Sequence, residues 1–146
     1  MIAPDANLLI YANHATSPYH PASKVWLEDL FSGTDPVGIP IPSVNGFLRF
    51  MTHPGIHPRP ASFRQAAEIV DSWLALPHVR ILYPGERHWH LVKKLGLDIR
   101  ASGNVMTDVG IAAIALEYGA TIHTNDRDFA RFPGLKWHNP LSPSKG

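Results

Sequence analysis

Three aspartates stand at points of the chain where a side chain could take part in chemistry. Asp108 lies on the apolar stripe of the helix predicted over Asn104–Tyr118, close to the start of that helix. Asp126 follows the short strand predicted over Thr121–Thr124, and Asp5 follows the apolar residues that open the chain. A carboxylate on a core-facing stripe is unfavourable unless something compensates its charge. Asp108 therefore directs attention to the three acids as a group.

Each acid alone has an ordinary structural explanation. Asp5 can cap the helix that follows it, Asp126 suits a turn, and the helix dipole favours an acid such as Asp108 near a helix N-terminus. Three carboxylates in a small volume, in contrast, raise one another's pKa unless a cation compensates them. Hard oxygen ligands suit Mg²⁺ or Mn²⁺. Such an ion can polarise a phosphate and activate water for attack on a phosphodiester.

The elements that position these acids alternate between strands and helices. The apolar periodicity predicts the order β-α-α-β-α-α-β-α-α-β-α-β, which favours a three-layer α/β/α sandwich with a mainly parallel central sheet. Right-handed crossovers bring the carboxyl ends of parallel strands to one edge of the sheet, and ligand sites form at that edge. Asp5 and Asp126 are expected there, where the helix that carries Asp108 also begins.

Two local features follow from the same patterns. Pro40 cannot donate to a ladder, so the strand predicted over Val37–Ile41 is expected near an edge of the sheet. Helical spacing places Val25, Phe63 and Trp89 on the apolar faces of their helices.

The composition is that of an ordinary globular protein. The 146 residues are 45% apolar and 17% charged, with a net charge of +1. We expect one domain over residues 1–140, followed by a short tail over 141–146. The chain opens without the features of a signal peptide and contains no apolar run that could span a membrane, so a cytoplasmic location is expected.

Several kinds of chemistry are excluded by residues that the chain lacks. There is no cysteine, so disulfides, thiolate ligands and a thiol nucleophile are excluded. The nine histidines include no HExxH pair, which disfavours zinc. Neither a GxxxxGK[ST] nor a GxGxxG loop is present, so the patterns of nucleoside triphosphate and dinucleotide sites are absent.

Four motifs occur in a fixed order along the chain. They are DAN after the first strand, FLR followed by THP, GNxxTDxxIAAxAxExGA over residues 103–120, and TNDRDFARFPGLKW over residues 124–137. Together they resemble the PIN-domain ribonucleases, and most closely the VapC toxins of bacterial toxin–antitoxin pairs, over essentially the whole chain. The resemblance implies a PIN-like fold and a Mg²⁺-dependent endoribonuclease, with Mn²⁺ as a possible substitute. It also implies structured RNA, such as tRNA or rRNA, as the substrate, a cognate antitoxin as the inhibitor, and a homodimer within a larger toxin–antitoxin complex.

The resemblance carries roles onto particular residues. Asp5 and Asp108 match the principal metal ligands and catalytic acids, and Asp126 matches a further acid of the same site. Gly46 stands where the family usually has a glutamate, which implies weaker metal binding and favours a single ion over a tight pair. The candidates for supporting or substrate-binding roles are Asn7, Asn45, Arg49, Asn104 and Asp128.

Partner surfaces are expected around this site. The cationic candidates for RNA contacts are Arg49, Arg59, Arg64, Arg87, Lys93, Lys94 and Arg131. An antitoxin is expected in grooves between the helix predicted over 22–31 and the middle helices, where Trp26 and Phe31 stay partly exposed.

Two other functions remain open at the level of the sequence. One is a PIN fold that has lost catalysis and serves only as an RNA-binding or protein-binding module, for which Gly46 is the main argument. The other is a Mg²⁺-dependent phosphoacceptor of the receiver type, with Asp5 as the acceptor and Lys136 as its late lysine. The receiver interpretation leaves Asp108 without a role.

Overall fold

Five short parallel strands form the central sheet of the computed structural model, which describes residues 1–142. The strands are β1 (Ile2–Pro4), β2 (Val37–Pro40), β3 (Val79–Leu82), β4 (Thr121–His123) and β5 (Trp137–His138). Their order across the sheet is β3-β2-β1-β4-β5, and all four pairings are parallel. Strands β2 and β3 are added on one side of β1, and β4 and β5 on the other, so the strand order reverses between β1 and β4. Open α/β sheets bind ligands at such a point. A receiver-type sheet, of order 2-1-3-4-5, does not match this topology.

Within residues 1–142, six α-helices and one short 3₁₀ helix connect the strands. They are α1 (Ala6–Ala12), α2 (His20–Ser32), α3 (Ile41–Met51), α4 (Phe63–Leu74), α5 (His88–Ile99), α6 (Val105–Tyr118) and the 3₁₀ helix Arg127–Arg131. The predicted order of elements is therefore confirmed. Within residues 1–142, none of these helices is long and apolar enough to cross a membrane. The end of the predicted tail, residues 143–146, lies outside the described residues.

Two hydrophobic clusters hold the helices to the sheet. One joins α5 and α6 to β1 and β4 around Ile122, and the other joins α1, α3 and α4 to β2 and β3 around Ile39 and Phe47. Helix α6 is capped at its C-terminus by Gly119, whose φ of 65° is the left-handed conformation that glycine adopts readily. This architecture is the expected three-layer α/β/α sandwich.

Strand β2 lies inside the sheet between β3 and β1, so the expected edge position is wrong. Pro40 is the last residue of this strand, and α3 begins at the next residue, Ile41. The backbone N–H that proline lacks is therefore missing only at the end of the strand, where the chain leaves the sheet. The hydrogen bonds between the strands do not continue beyond Pro40, so the proline does not interrupt them.

The apolar faces of three helices also differ from the prediction. Val25, Phe63 and Trp89 are 58%, 69% and 71% exposed, respectively. Leu27 of α2 and Leu91 of α5 are buried instead, each two residues further along the chain. Spacing indicates that an apolar stripe exists, but the contacts with the sheet decide which of several neighbouring apolar residues lies at its centre.

Candidate active site

Asp5 is fixed at the carboxyl end of β1 by hydrogen bonds from three directions. Its backbone N–H donates to the His123 carbonyl oxygen at 2.9 Å, which ties it to β4. The Ala6 N–H donates to Oδ1 at 2.8 Å, so Asp5 caps α1 as its structural explanation required. The Thr124 hydroxyl donates to Oδ2 at 2.8 Å. The carboxylate is buried and held in one orientation.

Thr124 connects Asp5 to the loop after β4. The threonine is fully buried, and its hydroxyl accepts from Asn7 Nδ2 at 3.2 Å and from the Asp126 N–H at 3.0 Å. One side chain thus joins two of the predicted acids and the candidate Asn7. Sequence reasoning missed this residue, although a threonine that ends a strand two residues before an aspartate is the signal of a side-chain-to-backbone turn.

Asp126 is the N-cap residue of the 3₁₀ helix. Its Oδ1 accepts from the Asp128 backbone N–H at 2.9 Å, so the two acids share one turn. The Asp128 side chain is exposed and lies 3.9 Å from Arg131, a distance at which an exposed ion pair contributes little stability. The same loop is tied down by Asn139, whose amide donates to Asn125 Oδ1 at 2.9 Å.

Asp108 lies in the first turn of α6 and is partly buried. Its pKa is raised from 3.8 to about 6, and burial is the largest cause. The negative charges of Asp5 and Asp126 contribute to this increase in pKa, whereas Arg131 opposes it. Burial also raises the pKa of Asp5, with a smaller contribution from the charge of Asp126. The fold therefore brings the three acids close enough to repel one another.

The donor set fits a hard divalent cation by its chemistry. Carboxylate oxygens are the ligands of Mg²⁺ and Mn²⁺, and a bound cation would relieve the repulsion that raises the pKa of Asp108. Each Asp5 oxygen accepts one hydrogen bond from the protein and so keeps further capacity to accept. As they stand, however, no three His, Cys, Asp or Glu side chains among residues 1–142 are gathered closely enough to coordinate one ion.

The remaining candidates lie on the surface. Asn45 and Arg49 are exposed on α3, and Asn104 is exposed at the N-cap position of α6, where its side chain makes no capping hydrogen bond. Within the described part of the chain, no hydrogen bond or ion pair joins these three side chains to the acids.

Gly46 marks a close approach of two helices. It lies in α3, and a Cβ atom at this position would come within 3.1 Å of the Ala6 Cβ in α1. Because Ala6 directly follows Asp5, the glycine lets the helix that Asp5 caps pack against α3. Packing thus explains the glycine without reference to activity.

A partly buried histidine, His123, ends β4 and contacts α2. His123 Nδ1 accepts from the Trp26 indole N–H at 3.2 Å, and its ring centroid lies 5.2 Å from that of His138. The pKa of His123 is lowered from 6.5 to about 4, mainly by burial and to a smaller extent by the nearby His138. The neutral ring is therefore the stable form, and it serves as the acceptor that connects α2 to β4.

Replacement of His123 by asparagine should make the free energy of unfolding fall less between pH 7 and pH 5. The unfolded chain binds a proton below about pH 6.5 and the folded His123 only near pH 4, so this histidine lowers stability as the pH falls through that interval. Since the group is partly exposed, we expect the effect at pH 5 to be about 1 kcal/mol. Asparagine keeps an acceptor near Nδ1 but does not titrate. Urea unfolding of both proteins at pH 7 and pH 5, with His90→Asn as an exposed control, measures the difference; equal losses in wild type and His123→Asn would contradict the prediction.

Comparison with known proteins identifies the family to which this chain is related. Residues 2–135 match the PIN domain family. Over 141 residues the chain is 40% identical to ribonuclease VapC43 of Mycobacterium tuberculosis, an alignment that covers 97% of this chain and 96% of that protein. It is 38% identical to ribonuclease VapC33 of the same organism, over 97% of this chain and 99% of that protein. The resemblance indicated by the motifs is thereby confirmed.

Solved structures share the architecture. The VapBC2 complex of Rickettsia felis, bound to a DNA fragment from its promoter, matches with a TM-score of 0.70 at 20% identity, over 95% of this chain and 98% of that chain. VapC20 of Mycobacterium tuberculosis, described as a sarcin-ricin loop cleaving toxin, matches with a TM-score of 0.68 at 14% identity, over 93% and 99%. At these identities the likeness establishes the fold, and it confirms the predicted PIN-like class.

Proposed function

This chain belongs to the PIN-domain family and, within it, to the VapC ribonucleases, and from that membership we propose that it is a Mg²⁺-dependent endoribonuclease toxin. Its substrate would be structured cellular RNA, either tRNA or rRNA, and a cognate antitoxin would neutralise it. The observation that carries this proposal is the convergence of Asp5, Asp108 and Asp126, in which Thr124 joins two acids and like charges raise the pKa of the third. An enzyme that positions a cation against a phosphate needs such a concentration of negative charge.

Asp5, Asp108 and Asp126 would hold the ion. Asp5 is the fixed member, because Thr124 and the Ala6 N–H orient both of its oxygens. Asp108 and Asp126 are less buried and would complete the ligand set together with water or phosphate oxygens. The chemistry that Mg²⁺ supplies at such a site is polarisation of the phosphodiester and acidification of water. With Gly46 in place of a fourth acid, one ion is the expected occupancy.

The surface residues would orient the RNA. Arg49 is exposed on α3 and has no carboxylate within 4.0 Å among residues 1–142, so its guanidinium is available to a phosphate. Asn45 lies one turn earlier on the same helix, and Asn104 lies at the start of the helix that carries Asp108. These side chains would place the scissile phosphate over the three acids.

The antitoxin would occupy a groove between α2 and α4. This groove has a volume of about 580 Å³, and its apolar lining comes from Leu27, Phe31, Trp73 and Leu76. Phe31 and the nearby Trp26 are partly exposed, as expected for an apolar docking surface. The homodimer and the larger toxin–antitoxin complex remain part of the same proposal.

Removal of divalent metal tests the proposal directly. Purified protein incubated with total cellular RNA and Mg²⁺ should produce cuts at a few defined positions in tRNA or rRNA, mapped by primer extension. EDTA should reduce this cleavage to background, and excess Mg²⁺ or Mn²⁺ should restore it, because the three acids alone cannot activate water.

Two outcomes would contradict the proposal. Unchanged cleavage in EDTA would show that the activity does not depend on a metal. Binding of RNA without cleavage at any metal concentration would favour the other interpretation, a PIN fold that only binds RNA or protein. Gly46, which replaces a fourth acid, is the argument for that interpretation.

A further inference from the structure

We propose that a polar pocket at the far ends of α1 and α3 binds one nucleotide of the RNA substrate, outside the candidate active site. This inference rests on the proposed ribonuclease function. The pocket has a volume of about 470 Å³, within the usual range for small-molecule sites. The lining side chains that the argument uses are Asn13, His14, Met51, His57, Arg59 and Gln65.

In each of two amide side chains of the lining, one polar atom forms a hydrogen bond and the other forms none among residues 1–142. Asn13 Nδ2 donates to the Leu9 carbonyl oxygen at 2.9 Å, and no hydrogen bond within residues 1–142 engages its Oδ1. Gln65 Oε1 accepts from the Ser62 N–H at 2.9 Å as part of the capping box of α4, and its Nε2 has no partner in the same range. The lining therefore offers one acceptor, Asn13 Oδ1, and one donor, Gln65 Nε2. Such a pair can form hydrogen bonds with the edge of a base.

Two histidine rings form the aromatic part of the lining. His57 Nε2 lies 2.9 Å from the Phe50 carbonyl oxygen, and because a carbonyl can only accept, Nε2 carries the proton. The His14 and His57 rings meet edge to face with centroids 5.4 Å apart, and both pack edge to face against Phe50. RNA-binding proteins stack unpaired bases on aromatic rings of this kind.

The charge of the pocket suits an anion. Arg59 is exposed, has no carboxylate within 4.0 Å in the described part of the chain, and is accompanied by no acidic residue in the lining. A guanidinium of this kind binds phosphate. A free phosphate would use only the arginine, whereas a nucleotide uses the arginine, the rings and both amides, so the whole set of side chains favours a nucleotide.

The position of the pocket suits a substrate that also reaches the three acids. Helix α1 starts directly after Asp5, and the eight residue-to-residue steps from Asp5 to Asn13 correspond to about 12 Å at 1.5 Å per step. Helix α3 starts at the same edge of the sheet and carries Arg49 in its last turn, two residues before Met51 of the pocket. A strand of RNA that crosses the acids could follow the cationic side chains Arg49 and Arg59 into the pocket.

The test is binding of AMP, GMP, CMP and UMP, each titrated separately into the purified full chain and followed by NMR or calorimetry. At least one nucleotide should bind, and Arg59→Ala and Gln65→Glu should each weaken it by about tenfold, as expected for the loss of one charged or buried hydrogen bond. Gln65→Glu keeps the oxygen that caps α4 while it removes the Nε2 donor. Arg80→Ala, an exposed arginine of β3 outside the pocket, is the control and should change affinity by less than about twofold.

Further readouts separate this inference from the proposed ribonuclease function. Asp108→Asn should leave mononucleotide binding intact, and Arg59→Ala should raise the KM for RNA several-fold with kcat unchanged. Loss of binding in Asp108→Asn but not in Arg59→Ala would place the nucleotide at the acids and overturn the pocket. Equal affinity for inorganic phosphate and for every nucleotide, or no binding at all, would also overturn it. Absence of RNA cleavage with intact, Arg59-dependent nucleotide binding would instead contradict only the nuclease.

Discussion

Asp108→Asn is expected to lower the rate of RNA cleavage by about a thousandfold or more. The substitution keeps the size of the side chain but removes one of the three charges that would hold the metal ion. Loss of a group that acts directly on the reacting atoms typically reduces the rate by about 10²–10⁴-fold. The rate should be measured under single-turnover conditions with an RNA that carries the mapped cleavage site.

The same substitution should make the metal-free protein more stable. The folded state holds the Asp108 proton up to about pH 6, whereas the unfolded state releases it near pH 3.8. The contribution of this group to stability is therefore full below pH 3.8 and is lost as the pH rises through 6. Because the side chain is only partly buried, we expect Asp108→Asn to gain about 1 kcal/mol at pH 8 after allowance for solvent screening. The gain should vanish at pH 4.

Urea unfolding of wild type and Asp108→Asn in EDTA, at pH 8 and pH 4, measures this gain. Asp71→Asn is the matched control, since Asp71 is exposed on α4 and forms no ion pair among residues 1–142. It should change neither the cleavage rate nor the pH dependence. Cleavage by Asp108→Asn at the wild-type rate would remove Asp108 from the reaction. A loss of stability at pH 8 would show that the contacts of the carboxylate outweigh its repulsion from Asp5 and Asp126.

Thr124→Val is expected to reduce both stability and activity, although it changes no acid. Valine has nearly the same shape as threonine, but it cannot donate to Asp5 Oδ2 or accept from Asn7 and the Asp126 N–H. Because buried polar groups left without partners cost about 1–3 kcal/mol each, we expect the free energy of unfolding to fall by about 3 kcal/mol. Cleavage should fall by roughly a hundredfold, because Asp5 and the Asp126 loop lose their common attachment.

Two control variants distinguish positioning from general destabilisation. Thr124→Ser keeps the hydroxyl and should retain activity within a few-fold, with a loss of about 1 kcal/mol for the missing methyl group. Thr52→Val removes a hydroxyl that donates to the Leu48 carbonyl oxygen at 2.8 Å, far from the acids, and should leave cleavage unchanged.

The pH–rate profile is the decisive readout for Thr124. The hydrogen bond from Thr124 lowers the pKa of Asp5, so its removal should move the acidic limb of the profile to higher pH. A Thr124→Val enzyme that is less stable but has the wild-type profile and rate would show that the hydroxyl serves folding alone.

Local patterns predicted much of the fold because they report on short-range physics. Apolar spacing predicted the order of all elements, and Gly119 marked the end of α6 because a left-handed residue there favours glycine. The parallel sheet followed from alternation of strands and helices. The meeting of Asp5 and Asp126 then followed from the rule that parallel strands end at one edge.

The sequence by itself thus determined which elements form, in what order, and which acids they carry to one edge of the sheet. Only the tertiary structure decided that β2 lies inside the sheet, that Leu91 and not Trp89 faces the core, and that Thr124 joins the acids. The reason is the range of the interactions. Thr124 and Asp5 are 119 positions apart in the chain, and neither their hydrogen bond nor the raised pKa of Asp108 exists until the folded chain brings these groups together and excludes water from them.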